Sequence, residues 1–410
     1  MEKPKLHTDC CIAGGGPAGM MLGYLLARAG VEVMVLEKHA DFFRDFRGDT
    51  IHPSTLEVLH ELGILEDFLK LPHQKAETIG GEIGNFSFTA ADFRHLPTQC
   101  KFIALAPQWD FLNFIASQAK RHPLFHLKME HEVTDLVRDG KRIVGVHATT
   151  PQGPVEVRAD LVVAADGRSS KLREQSGLKI KDLGAPFDVL WLRLSRKETD
   201  PNQSLGQFGA GHALVMINRS DYWQCGYLIE KGHFDRIKDK GMAAFQRGIV
   251  ELVPVLQDRV GELTGWDKVK LLTVQVNRLQ RWHLPGFLCI GDAAHAMSPV
   301  GGVGINLAIQ DAVAASNILA GPLRDETADE DTLAHVQMRR EWPTQATQAA
   351  QVFIQNKFLF KILSARGPLQ PPLVARLLNT FPLLRRIPAH LIGLGVRPEH
   401  VETQEVKSGG

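Results

Sequence analysis

Short apolar runs set the rhythm of the first third of the chain. Residues 8–13 read as a buried strand, 17–29 as a helix with apolar residues on most faces, and 31–36 as a second strand, a strand-helix-strand opening. Ser54, with Glu57 three residues on, forms a helix-capping signal and Gly63 a stop, so 54–62 is expected to be helical. Between 80 and 100, apolar and polar positions alternate near glycines and prolines, which marks an excursion into strands. Helical spacing returns at 109–120. Residues 126–137, 142–148 and 155–158 read as a meander leading into another buried strand, 161–165. Three further alternating segments, 188–195, 213–218 and 223–230, predict antiparallel strands and a second structural unit. From 287 the opening pattern reverts, with a strand to 290, a glycine-rich loop to 304 and a long helix from 305 to about 320. Beyond Glu341 the chain is helical and apolar, with prolines at intervals.

Length and charge narrow the picture. A chain of 410 residues exceeds the size at which single cores stop growing, so two folded units sharing an interface are expected. A balance of 47 basic against 46 acidic residues creates no long-range field to gather nucleic acid. No stretch reads as a membrane span, and glycines interrupt the first apolar run, so no secretory leader is read. The five cysteines are odd in number and lack metal-type or CxxxxC redox spacing, which points to a reducing, cytoplasmic setting and to no metal site. Cys10 and Cys11, adjacent in a strand, face opposite sides and read as small buried hydrophobes.

Three glycine-bearing turns carry the candidate chemistry. The first, Gly14-Gly15-Gly16-Pro17-Ala18-Gly19, is a GxGxxG between strand and helix. Glycine is required there if a tight turn is to bring backbone N–H groups and a helix N-terminus against a pyrophosphate. Glu37, at the end of the second strand, is placed to accept from adenosine ribose hydroxyls and disfavours a 2′-phosphate. A glycine-rich helix start that merely permits close packing is the alternative. The second turn, Asp166-Gly167-Arg168-Ser169-Ser170-Lys171-Leu172-Arg173, reads alone as an ordinary strand-to-helix connection. The third runs from Gly291 to Asn306. Asp292 can accept from a ribose or ribityl hydroxyl, and the loop from Pro299 to Gly304 offers backbone N–H groups at a helix start, a place for negative charge. Such donors would favour a reduced flavin, which is anionic along its N1 and C2-carbonyl edge.

In this order, and over about residues 8–320, the three turns resemble the flavoprotein monooxygenases related to para-hydroxybenzoate hydroxylase, with 291–306 near the family pattern throughout. The resemblance implies an α/β fold: a Rossmann-type FAD-binding domain with a parallel sheet, a second domain whose mostly antiparallel sheet covers the flavin, and a helical C-terminal region. The expected division is 1–75, 101–180 and 271–345 for the first, 76–100 and 181–270 for the second, and 346–410 for the third. By resemblance, Gly14, Gly16, Pro17, Ala18, Gly19, Glu37 and Lys38 hold the ADP half of FAD. Arg47, with Arg44 close enough to compete, and Gln108 also contact FAD. Asp166 and Gly167 match a fingerprint implicated in both FAD and NAD(P)H binding, and Asp292 matches the ribityl ligand. Pro299, Gly302, Val303, Gly304, Ile305 and Asn306 form the loop and helix start beside the flavin. No second GxGxxG follows a strand, so no separate nicotinamide-binding domain is expected.

The reaction implied by the resemblance uses NADH or NADPH to reduce FAD and O2 to form a C4a-hydroperoxide, which passes an OH equivalent to an electron-rich aromatic. Water would waste that species, so an apolar cover is needed, and the sheet at 188–230 with Pro299 on the flavin side is expected to supply it. Trp191, Arg193, His212, Met216, Trp223 and Tyr227 are the candidate substrate contacts, each with ordinary core or surface packing as the alternative. No residue is singled out as a catalytic base, and His295 reads as structural. The tail carries Lys357, Lys361, Arg366, Arg376, Arg385, Arg386 and Arg397 but no acid from 342 to 398. Its prolines break any long amphipathic helix, so packing on the body is expected, with covering the active site, membrane-surface docking or dimerisation as alternatives and a monomer or homodimer as the assembly. The rival functions are a flavin-dependent reductase of the geranylgeranyl-reductase type and a non-catalytic FAD-binding protein.

Overall fold

The computed structural model describes residues 5–43, 50–201 and 205–406. Its architecture is α/β. One sheet has a parallel core in the order Phe287–Cys289, Gly153–Ala164, Lys5–Ala13, Val33–Leu36 and Phe125–Lys128. Cys10, Cys11, Ile12 and Ala13 are fully buried, as expected of a parallel strand covered on both faces by helices. Glu132–Asp139 and Arg142–Thr150 extend the sheet as antiparallel strands. The two strands expected at 155–158 and 161–165 are a single strand, Gly153–Ala164. Its polar interruption ends at exposed Asp160, where the backbone stays extended because it pairs with Lys5–Ala13 throughout.

A second sheet has the order Lys270–Leu272, Phe187–Ser195, Tyr222–Glu230, His212–Asn218, Leu205–Gly209, Thr78–Ile83 and Phe86–Asp92. The excursion at 80–100 thus joins strands more than a hundred residues later, by a parallel pairing of Gly206–Phe208 with Gly81–Ile83. One face of this sheet packs Leu190, Leu192, Leu214, Met216, Trp223 and Tyr227 against Phe245 and Ile249 of the helix Met242–Leu252. On its other face, Phe187, Val189, Ala213 and Leu228 meet Leu359, Ile362, Leu363 and half-buried Val300.

Two expectations need correction. The helix expected at 54–62 is Pro53–Glu61, capped at His52 with Pro53 in its first turn, and Ser54 makes no capping bond. The reason is tertiary: the His52 N–H and the Thr55 hydroxyl both donate to Asn306 Oδ1, at 3.0 and 2.7 Å. Second, among the described residues one helical stretch, Val300–Arg324, is long and apolar enough to cross a membrane. It is a core helix, 83% buried in its most apolar window, and Ile309, Ala312, Val313 and Ala315 pack in the main apolar cluster with Met20 and Leu22. The helix Glu330–Ile354 runs without a break through the expected boundary at 345.

Candidate functional site

The fold brings the three glycine turns together at the C-terminal ends of adjacent parallel strands, where ligands of open α/β sheets bind. Ala165 N–H donates to Ala13 O at 2.8 Å, so the second turn leaves the sheet beside the first. Gly14 has φ +107°, and a Cβ there would lie 2.4 Å from Ala165 O. A Cβ on Gly19 would lie 2.0 Å from Gly14 O, and one on Gly291 3.1 Å from Ala18 Cβ. Arg168 of the second turn pairs with Asp292 of the third at 3.1 Å, and Arg173 donates to the Ala293 and Arg168 carbonyls at 3.1 and 2.7 Å. Ser170 caps the helix Lys171–Ser176, its hydroxyl accepting from the Arg173 N–H.

Glycine 16 differs from its neighbours: with φ −74° it needs no unusual backbone, and no heavy atom lies within 4 Å of where its Cβ would be. It opens the helix Pro17–Arg28, whose first turn carries no acid to occupy its free N–H groups. Gly167 faces similarly open space. Glu37 is buried, and its carboxylate accepts from Gly15 N–H at 2.9 Å and His39 N–H at 3.1 Å, which fixes it beside the first turn. Lys38, the next residue, is exposed. Gln108 is the first residue of the helix Gln108–Ala119, half-buried. Arg47 and its competitor Arg44 lie outside the described residues.

The third turn is tied down from below. Asp311, fully buried in the long helix, accepts from Gly291 N–H at 3.0 Å, His295 Nε2 at 2.6 Å and Arg340 Nε at 3.1 Å. Burial alone would raise the Asp311 carboxyl, but His295, Arg340 and the Gly291 N–H together hold it below the ordinary range. Arg340 also donates to Glu399 at 2.9 Å, so one buried network joins the turn to the C-terminal segment. His295 is buried in this network, while Asp311 and Arg340 escaped the sequence reading. The available signal was a lone carboxylate inside an otherwise apolar helix.

Along the loop, Gly301 and Gly302 have φ +78° and +65°, and Thr50 Oγ1 donates to Gly302 O at 2.8 Å. The helix Gly304–Arg324 follows, again with no acid in its first turn, so the N–H groups of Gly304, Ile305 and Asn306 open it. Asn306 uses Oδ1 for His52 and Thr55, and its buried Nδ2 has no partner among the described residues. Buried Asp166 Oδ1 is likewise unpartnered there, and burial raises that carboxyl. An open cradle at Gly16, two helix starts without acids, a carboxylate on each side and unspent buried polar atoms fit a dinucleotide with a pyrophosphate and hydroxylated chains.

The substrate candidates divide between the two faces of the second sheet. Trp191 lies on the face that meets Val300, and its buried Nε1 has no partner among the described residues. Arg193, two residues on along that face, is exposed with its guanidinium 4.2 Å from the Tyr222 ring centre. Met216, Trp223 and Tyr227 occupy the opposite face, behind the sheet. His212 stacks on Tyr227 at 6.3 Å on that side. Trp223 is spent on a buried bond to Asp200 at 2.9 Å, and burial pushes the Tyr227 phenol up to about 12. Strand alternation puts Trp191 with Arg193 and Trp223 with Tyr227, but does not say which face meets the loop.

Comparison with known proteins matches residues 7–350 to the FAD binding domain family. The chain is 33% identical over 387 residues to 6-methylpretetramide 4-monooxygenase of Streptomyces rimosus, covering 93% of this chain and 92% of that one. It is 25% identical over 351 residues to 3-demethoxyubiquinol 3-hydroxylase of Escherichia coli strain K12, covering 81% and 85% of the two chains. The solved OxyS anhydrotetracycline hydroxylase from Streptomyces rimosus shares the fold, with a TM-score of 0.74 at 23% identity over 96% of this chain and 77% of that one.

Proposed function

From the premise that this chain belongs to the FAD-binding-domain family and is an FAD-dependent monooxygenase using NADH or NADPH, we propose how its residues divide the work. The ADP half of FAD lies over Gly14, Gly16 and Gly19, with its pyrophosphate on the N–H groups at Pro17–Arg28 and its ribose on Glu37. Arg168 holds the Asp292 carboxylate, which accepts from the ribityl chain. Asp166 and Gly167 line the seam between these halves. The loop Pro299 to Gly304 and the N–H groups of Gly304 to Asn306 face the flavin ring, where a helix start stabilises negative charge. Bound FAD supplies the electron transfer and the oxygen activation.

The protein's remaining tasks are dryness and orientation. Phe187, Val189 and Leu228, with Val300 packed against them, present an apolar wall on the loop side of the second sheet. Trp191 stands on that wall with an indole N–H to donate, and is the residue we assign to an oxygen of the aromatic substrate. We assign the domains as expected from the sequence, apart from the continuous helix at 345, and the location as cytoplasmic, in keeping with five buried thiols free of disulfides.

The observation that carries this reading is the direct Arg168 to Asp292 pair, which closes two motifs 124 residues apart onto the turn that holds Gly14. The test measures O2 uptake and NAD(P)H oxidation with a panel of phenols, quinolones and aminoaromatics. Hydroxylated product coupled to both is expected. Anaerobic, substrate-dependent NAD(P)H oxidation to a reduced product would overturn it in favour of a reductase.

A further inference from the structure

The C-terminal region packs on the second sheet by its small or half-buried side and leaves an apolar face uncovered. Leu373, Val374, Leu377 and Phe381, at positions i, i+1, i+4 and i+8 of the helix Leu373–Thr380 and its cap, are 71, 65, 40 and 55% exposed. Leu384, Ile387 and Leu391, at i, i+3 and i+7 through the helix Arg386–Gly393, are also exposed. The two helices touch the same short turn, Pro382–Arg385, and the same strand, Phe86–Asp92, so their exposed residues lie close together in the fold. Buried Ala375 and Ala389 face inward. An apolar face of this size on both helices is not scattered surface leucine, and such patches mark docking sites.

We propose that this face docks on an anionic lipid bilayer. Charge selects the occupant. From 342 to 398 the chain has seven cations and no carboxylate, although the whole molecule is nearly neutral. Arg376 and Arg386 are exposed within the same two helices. A second copy of the chain meeting this face across a twofold axis would set these cations against their own images, which opposes a dimer. A surface of anionic headgroups over hydrocarbon complements both features, with leucines and phenylalanine entering the acyl boundary and arginines on phosphates. The prolines that break a long helix do not remove this surface. They fold the tail into two short helices joined by the turn Pro382–Arg385. A cleft of about 310 Å³, lined by Ile83, Phe358, Ile362, Leu369 and Pro372 together with Lys357, Lys361 and Gln370, lies next to Leu373 in the chain, so docking would bring the bilayer to its edge.

The experiment is co-sedimentation of the full chain with extruded vesicles of POPC alone or of POPC and POPG at 7:3. Binding to the POPG vesicles, weakened by 0.5 M NaCl and near background on POPC, is expected. Arg376→Ala with Arg386→Ala should weaken binding about thirtyfold, at about one headgroup attraction per arginine. Leu377→Glu with Ile387→Glu should abolish it, and both positions are exposed, so folding is checked by an unchanged urea midpoint. No binding to POPG vesicles would overturn the proposal. So would a concentration-dependent dimer in light scattering that the Leu377→Glu and Ile387→Glu pair disperses while vesicle binding stays absent.

Discussion

Two glycines two residues apart separate folding from cofactor binding. At Gly14, alanine would combine a φ of +107° with a Cβ 2.4 Å from Ala165 O, a backbone atom of the neighbouring turn that cannot swing aside. Left-handed strain of about 1–3 kcal/mol and overpacking of about 1–3 kcal/mol add to roughly 2–6 kcal/mol, a large part of a domain's stability. At Gly16, φ is −74° and no heavy atom lies within 4 Å, so Gly16→Ala should change the stability of the apoprotein by less than about 0.5 kcal/mol. The added methyl nevertheless stands where the pyrophosphate must approach the helix start. Losing one or two charge-assisted N–H bonds costs about 3 kcal/mol, or about a hundredfold in FAD affinity. Urea unfolding followed by tryptophan fluorescence, and titration of apoprotein into FAD followed by quenching of flavin emission, read the two effects apart. FAD binding by Gly16→Ala equal to that of the wild type would refute the placement of the pyrophosphate. Destabilisation of Gly16→Ala as large as that of Gly14→Ala would refute the packing argument.

Asp292→Ala should lower FAD affinity at least tenfold while moving the apoprotein unfolding midpoint little, since the pair with Arg168 is about 28% exposed on each side; full FAD retention in a dialysed sample would remove Asp292 from the site. Asp311→Asn leaves Arg340 or the Gly291 and His295 donors facing an amide N–H in a fully buried setting, and should destabilise the fold by about 3 kcal/mol, measured by urea denaturation. Because the Asp311 carboxyl is held below its ordinary range, its stabilisation is present above the unfolded value and is lost only as pH falls below about 4 through the folded value. His52 behaves differently. Burial lowers it from 6.5 to about 4, so as pH falls through that window the unfolded chain takes up a proton that the native state refuses, and stability drops by about 3 kcal/mol. His52→Asn should flatten the loss of stability between pH 6.5 and 4, and an unchanged slope would assign the loss elsewhere.

The parallel core was legible because its strands are continuous apolar runs ending in glycine turns, a pattern whose cause is local. Val33–Leu36 and Phe287–Cys289 fall within the expected runs for that reason. What escaped was decided by partners far away in the chain. Ser54 carries every local mark of a helix cap, yet the helix opens one residue earlier at Pro53, where Asn306, 254 residues on from His52, accepts from the His52 N–H. Asp311 reads as an oddity in an apolar helix until the fold sets His295 and Arg340 against it. The choice between the two faces of the second sheet was invisible because both are apolar. The helix Met242–Leu252 on one side, and Val300 with Leu359, Ile362 and Leu363 on the other, tell Trp223 from Trp191.

In the reading proposed here, one FAD is clasped where the three turns meet. The most direct test is to unfold the purified, FAD-saturated and gel-filtered protein and quantify the released flavin by chromatography against the polypeptide. One FAD per chain is expected. Colourless protein that releases none, and that cannot be reconstituted with added FAD, would contradict it.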